Sequence, residues 1–200
     1  MTFALLCRCF SWTVILSRFD GSGNFDNRSW SDYETGFGDA NGEYWLGNEH
    51  LHYLTNSRSY KLRFDLEDWD GSTAYAEYAS FRVTSEADKY RLLLGDYSGN
   101  ASEDTSHDQR GGFLYHNNTH FTTVDRDNDE VANSCIHKPA YGDGFFGGFW
   151  YKSCARITPT GHYCPTDHCG SKTKAMRWGA WHGTQYSLKS VKMMMRPATY

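Results

Sequence analysis

From Tyr97 to Met176 the chain runs for about eighty residues rich in Gly, Asn, Asp and Cys, with little hydrophobic periodicity. A compact domain rarely carries so long an irregular stretch, because the ordering entropy and the backbone polar groups must be compensated. Such a segment is compatible with a folded globe when cross-links or a bound cation hold it. It contains candidates for both: Cys135, Cys154, Cys164 and Cys169, and the acidic run Asp125-Arg126-Asp127-Asn128-Asp129.

Outside that stretch the chain reads as short β-rich runs: Trp12–Leu16, Tyr60–Leu66, Tyr75–Phe81, Tyr90–Leu94, and a final strand over Tyr186–Pro197. Leu62, Phe64 and Leu66 alternate with period two, as a half-buried strand requires, and Tyr75, Glu77 and Ala79 would face away from their neighbours. Helix signals are few. Ser31-Asp32-Tyr33-Glu34 can open one short helix and Asn48–Thr55 another. With 16% aromatic residues and 19 Gly against 4 Pro in 200 residues, the composition favours one compact, loop-rich domain.

The formal net charge of -4 offers no basic surface for nucleic acid, and no apolar run approaches the about 18 residues of a membrane span. Met1–Phe10 resembles a poor signal peptide, lacking a basic start and carrying Arg8 within its apolar run. Six cysteines and three Asn-x-Ser/Thr sequons, at Asn27, Asn100 and Asn117, point to an oxidising secretory route and to glycosylation of those asparagines.

Several strings together carry a resemblance. They are Trp12-Thr13-Val14, Arg18-Phe19-Asp20-Gly21-Ser22, Gly36-Phe37-Gly38, Gly42-Glu43-Tyr44-Trp45-Leu46-Gly47-Asn48-Glu49 and Leu62–Asp68. They continue with Asp125–Asp129, Phe149-Trp150-Tyr151-Lys152-Ser153-Cys154 and Tyr186-Ser187-Leu188-Lys189. In order and spacing the chain resembles the fibrinogen-related domains over residues 12–197, with residues 1–11 an atypical lead that replaces the family's usual amino-terminal subdomain. The resemblance implies an α+β globe: a small central antiparallel sheet, short helices and a long irregular region held by calcium and disulfides. It also implies extracellular recognition, since the family includes ficolins and tachylectins that bind acetylated sugars, angiopoietin-like receptor ligands, tenascins and fibrinogen. One fold serves many partners, so function rests on the site.

Three carboxylates at alternate positions suit a hard cation such as calcium, which takes six to eight oxygens. An EF-hand is excluded, because its sixth and twelfth positions would be Glu130 and Ile136. The resemblance instead implies side-chain ligands from Asp127 and Asp129 and backbone carbonyls from Val131 and Asn133, with Asp125 bracing the loop. His162, Cys164, His168 and Cys169 superficially resemble a zinc set, but in an oxidising compartment a Cys164–Cys169 disulfide is favoured. Cys135 is expected to pair with Cys154, stapling the loop between them. Cys7 and Cys9 are too close in an extended segment for a mutual bridge.

No nucleophile motif or phosphate loop occurs. Asp65, Glu67 and Asp68 could suggest a glycosidase, but the resemblance places them at a structural strand end, so an enzyme is not expected. The resemblance places the ligand wall at Phe149, Trp150 and Tyr151, beside Cys154, with a cis peptide expected at Ser153–Cys154. Acetyl recognition should be altered. Ala155 stands where a histidine usually follows the cysteine, and the tyrosine expected before Trp178 falls near Lys172 or Thr173. Tyr141, on a lengthened loop after Ile136, could replace one contact. The expected function is calcium-dependent, lectin-like pattern recognition of glycans or microbial surfaces. The alternative is binding of an extracellular protein, as angiopoietin- or tenascin-like modules do, with any homo-oligomer arising from the globe or upstream sequence.

Overall fold

The computed structural model describes residues 11–103, 111–136, 144–170 and 175–198. One antiparallel sheet organises these residues. Its strands are β1 (Thr13–Arg18), β2 (Phe37–Gly38), β3 (Tyr44–Trp45), β4 (Tyr60–Glu67), β5 (Thr73–Val83), β6 (Leu92–Leu94), β7 (Tyr97–Gly99) and β8 (Ser190–Pro197). They lie in the order β2-β3-β1-β8-β4-β5-β6, with β7 also paired to β5. The last strand is thus inserted at the centre, between the first and fourth, so the two ends of the domain close on each other.

The period-two pattern explains which face is buried. Tyr60, Leu62, Phe64 and Leu66 of β4 alternate inward, and β8 sets Met195, Met193 and Val191 opposite the last three of them. On β5, Ala74, Ala76 and Tyr78 face in while Tyr75, Glu77 and Ala79 face out, until an irregularity near Ser80 resets the parity to Phe81 and Val83. Burying such a face contributes on the order of 1.5–3 kcal/mol for each large apolar side chain.

Two helices flank the sheet. Helix α1 (Trp30–Thr35) starts one turn-position earlier than its sequence signal, because Ser29 and Asp32 form a reciprocal capping box. Helix α2 (Asn48–Ser57) buries Leu51 and Thr55. A last short helix, α3 (Gly179–His182), precedes β8.

Two strand expectations are corrected. Tyr90 is not extended: a 3-10 turn over Glu86–Asp88 leads into Lys89 and Tyr90 with φ of 53° and 51°, so the strand begins at Leu92. The final strand begins at Ser190, because Ser187 and Leu188 donate their N–H groups to Asp167 and Met176 in the irregular region. Residues 1–10, including Cys7 and Cys9, lie outside the described residues, as do Tyr141, Lys172 and Thr173.

Candidate functional site

The acidic run folds so that alternate residues do different work. Asp125 Oδ1 accepts the N–H of Trp30 at 2.8 Å and the Thr123 hydroxyl at 2.8 Å, tying the loop to the start of α1. Arg126 reaches Glu86 at 2.8 Å and lies over the Trp30 ring. Asn128 donates to the Phe121 carbonyl at 2.8 Å. Asp125, Arg126 and Asn128 therefore hold the loop, and Asp127 and Asp129 are joined to each other by a hydrogen bond.

Asp129 accepts N–H bonds from Val131 (2.9 Å) and Cys135 (2.7 Å), while its own N–H donates to Asp127 Oδ1 at 3.3 Å. Burial raises the Asp129 carboxyl, its N–H bonds oppose that, and the neighbouring Asp127 charge adds to the rise. Asp129 is half-buried and Asp127 exposed, and two carboxylates held side by side in this way suit a hard cation. Among the described residues, no group donates a hydrogen bond to the carbonyls of Val131 or Asn133. No cluster of three or more His, Cys, Asp or Glu side chains is placed to hold a metal among the described residues. A cation here would therefore rest on Asp127 and Asp129 with backbone carbonyls, and that donor set fits calcium's preference for mixed oxygen ligands.

The disulfide Cys135–Cys154 closes the loop on this side, and Cys164–Cys169 closes a smaller one. The two histidines of the apparent zinc set go elsewhere: His162 contacts Asp26 at 2.6 Å and His168 contacts Asp167 at 3.0 Å. The peptide Ser153–Cys154 is cis.

Phe149, Trp150 and Tyr151, expected at the ligand wall, are packed inside the globe. All three are 0% exposed. Phe149 pairs with Thr122 through two backbone hydrogen bonds, Trp150 Nε1 donates to the Tyr90 carbonyl at 2.7 Å, and the Tyr151 hydroxyl donates to Gly147 at 2.9 Å. They back the region around Cys154 from within the core, because large rings gain most by burial. Ala155 is buried as well. What reaches solvent beside Cys154 is Ser153, with Lys152, Arg156 and Tyr115 half-buried around it.

His116 links these pieces, and sequence reasoning assigns it no role. It sits in a 3-10 turn, Phe113–His116, with no exposure. Nδ1 lies 2.6 Å from the Trp150 carbonyl, which can only accept, so Nδ1 carries the proton. Nε2 then accepts the N–H groups of Arg156 at 3.1 Å and Ile157 at 3.4 Å. Burial holds the imidazole neutral, pushing it down to about 3 against the pull of the Trp150 carbonyl, and the charges of Arg177, Arg156 and Lys152 push the same way. Arg177 donates to the Ala155 carbonyl at 2.6 Å, and burial lowers its guanidinium to about 10.

The carboxylates of the glycosidase pattern are engaged in structure. Asp65 pairs with Arg63 at 2.7 Å and Glu67 with Lys189 at 2.6 Å. Asp68 accepts the N–H groups of Asp70 and Ser72 and meets His182 at 3.0 Å, closing the turn between β4 and β5. Of the sequon asparagines, Asn27 and Asn100 are exposed and Asn117 is half-buried.

A sheet with an inserted final strand, a two-carboxylate loop and a stapled irregular region define a fibrinogen-like globe. The family described as fibrinogen beta and gamma chains, C-terminal globular domain, matches residues 6–198, and the chain belongs to it. The chain is 41% identical over 189 residues to mouse angiopoietin-related protein 7, covering 94% of this chain and 52% of that protein. It thus spans about half the length of that relative. The fibrinogen-like globe domain of human ANGPTL2 superposes with a TM-score of 0.84 at 43% identity, covering 94% of this chain and 81% of that one. Lamprey fibrin D-dimer, complexed with the peptide ligand Gly-His-Arg-Pro-amide, superposes with a TM-score of 0.82 at 35% identity, covering 96% and 62%. No helix among the described residues is long and apolar enough to cross a membrane.

Proposed function

We propose that this chain is a secreted, non-enzymatic recognition module that binds an extracellular protein, with calcium stiffening the loop beside its binding face. The similarity to an angiopoietin-related protein across nearly the whole globe carries this reading. The burial of Phe149, Trp150, Tyr151 and Ala155 supports it further, because an acetyl-sized pocket would need some of these side chains at the surface. Calcium would be held by Asp127 and Asp129 side chains and the carbonyls of Val131 and Asn133. Its contribution is charge neutralisation and loop rigidity, which the network of Asp125, Asn128 and the Cys135–Cys154 bridge passes to the surface around Cys154.

The test is binding of the purified chain to a panel of extracellular receptor domains and to a glycan array, each with calcium and with chelator. Protein hits weakened by chelation are the expected outcome. Glycan hits lost on chelation, without protein hits, would restore the lectin reading in its place.

A further inference from the structure

Lys152 and Arg156 flank Ser153 and Cys154, and both head groups lie on the ring of Tyr115. Lys152 Nζ is 5.5 Å and Arg156 Cζ 4.5 Å from the ring centroid. The three side chains are placed by the backbone rather than by each other. Lys152 donates its N–H to the Cys154 carbonyl at 2.8 Å and accepts from Glu130 N–H at 3.2 Å. The Arg156 N–H is held by His116, and its stem runs across Gly111, where an added Cβ would come within 3.3 Å of Arg156 Cγ. The Tyr115 hydroxyl donates to the Ser153 carbonyl at 3.0 Å, fixing the ring.

Neither cation has a carboxylate partner among the described residues. The nearby Glu130 meets Lys152 through its N–H and forms no ion pair with it there. Elsewhere Arg18, Lys61, Arg63, Arg91, Arg126, Lys189 and Arg196 each pair with an acid. Behind the patch the Arg177 guanidinium adds a further positive charge. On a chain of net charge -4, this is a local concentration of cations on an aromatic floor.

We propose that the Lys152–Tyr115–Arg156 surface is an anion-binding face that receives an acidic segment of a protein partner. It rests on the protein-binding reading above and names the chemistry of the surface that would do the binding. Arg156 presents a planar fork suited to a carboxylate and Lys152 a point charge beside it, with the Tyr115 ring beneath both head groups. Such complementarity governs encounter rate and partner choice, and it weakens with salt.

The experiment titrates the whole chain with a capped oligoglutamate peptide, its glutamine counterpart and a sulfated heparin oligosaccharide, at low and high salt. The glutamate peptide should bind at low salt and weaken at high salt, and the glutamine peptide should not bind. Lys152→Glu with Arg156→Glu should weaken glutamate-peptide binding by about tenfold or more at unchanged melting temperature. If charge reversal lowers the melting temperature, Lys152→Gln with Arg156→Gln gives the same reading. No binding of the glutamate peptide, or equal binding by wild type and variant, overturns the proposal. So does binding of the oligosaccharide alone, which would assign the face to sulfated glycans. A receptor domain that binds wild type and charge-reversal variant equally removes this inference and leaves the protein-binding reading standing.

Discussion

Arg18 and Glu43 form an ion pair of 3.1 Å in which both side chains are essentially shielded from solvent. Glu43 also accepts the N–H groups of Phe19, Asp20, Gly21 and Gly23, while Arg18 donates to the Gly161 carbonyl and stacks on Phe25. One carboxylate thus orders the loop after β1, and its partner ties that loop to the irregular region. Burial pushes the Glu43 carboxyl up, but Arg18 and the N–H donors outweigh it and hold it ionised. Removing one partner leaves an uncompensated buried charge, which costs about 3–5 kcal/mol. Glu43→Gln should therefore lower stability by several kcal/mol in urea unfolding. Asp65→Asn, which removes the partly exposed pair with Arg63, should cost less than about 1 kcal/mol. Equal losses for the two variants would show that the Glu43 network does not hold the loop.

His116 makes the globe acid-sensitive. Its folded-state value of about 3 lies below the ordinary 6.5, so between these values the unfolded chain binds more protons than the folded one. Stability from this group is complete above about pH 6.5 and is lost as pH falls, at up to about 1.4 kcal/mol per pH unit. Between pH 6.5 and about 5, before most carboxylates titrate, unfolding free energy should fall along this slope. His116→Gln should be less stable at neutral pH and show a shallower slope over the same window. An unaltered slope would assign the acid sensitivity elsewhere.

The fold and its site are unequally legible in the sequence. Leu62, Phe64 and Leu66 announce a strand because alternation is a local property, and Ser31-Asp32-Tyr33-Glu34 announces the short helix for the same reason, although its cap is Ser29. Asp127 and Asp129 stand out because their spacing is itself the chemistry. Tyr90 misleads, since its apolar neighbours suggest a strand while its positive φ is imposed by the turn before it. Glu43 and His116 stay hidden because their partners lie 20–25 and 34–41 residues away. The one local sign for Glu43 is an acid two positions before an inward-facing Trp45. The burial of Phe149, Trp150 and Tyr151 follows from packing that no string of residues displays.

The two disulfides should differ in worth. Cys135–Cys154 spans 19 positions and Cys164–Cys169 spans 5. In the chain-entropy account they stabilise by about 3 and about 2 kcal/mol respectively. Paired Cys→Ser replacement should lower the melting temperature more for the first bridge than for the second. The reverse order would mean that the smaller bridge carries the irregular region.

Calcium should raise the melting temperature by binding the native state alone. At a hundredfold excess over its dissociation constant the gain is about 2.7 kcal/mol. Chelation should reverse it, and Asp127→Ala should abolish the difference. Asp125→Ala should instead lower stability whether or not calcium is present, because Asp125 holds Trp30 and Thr123. A melting temperature indifferent to calcium in wild type would rule the site out.

Glycan attachment should discriminate among the three sequons by what each asparagine does in the fold. A glycan joins the Asn side-chain nitrogen and needs a path to solvent from it. Asn27 is exposed, and Asn100 is exposed although its Oδ1 accepts the Tyr75 N–H at 2.8 Å. Asn117 is half-buried, with Oδ1 accepting the Leu94 N–H at 2.9 Å beside β6, and its sequon Thr119 is buried with its hydroxyl donated to the His116 carbonyl. In protein expressed through a secretory route, intact mass should fall by one glycan in Asn27→Gln and in Asn100→Gln, and stay constant in Asn117→Gln. The last variant should instead lose about 1 kcal/mol of stability, because the Leu94 N–H loses its acceptor. A folded product carrying a glycan at Asn117 would show that the β6 edge opens far enough to release that side chain.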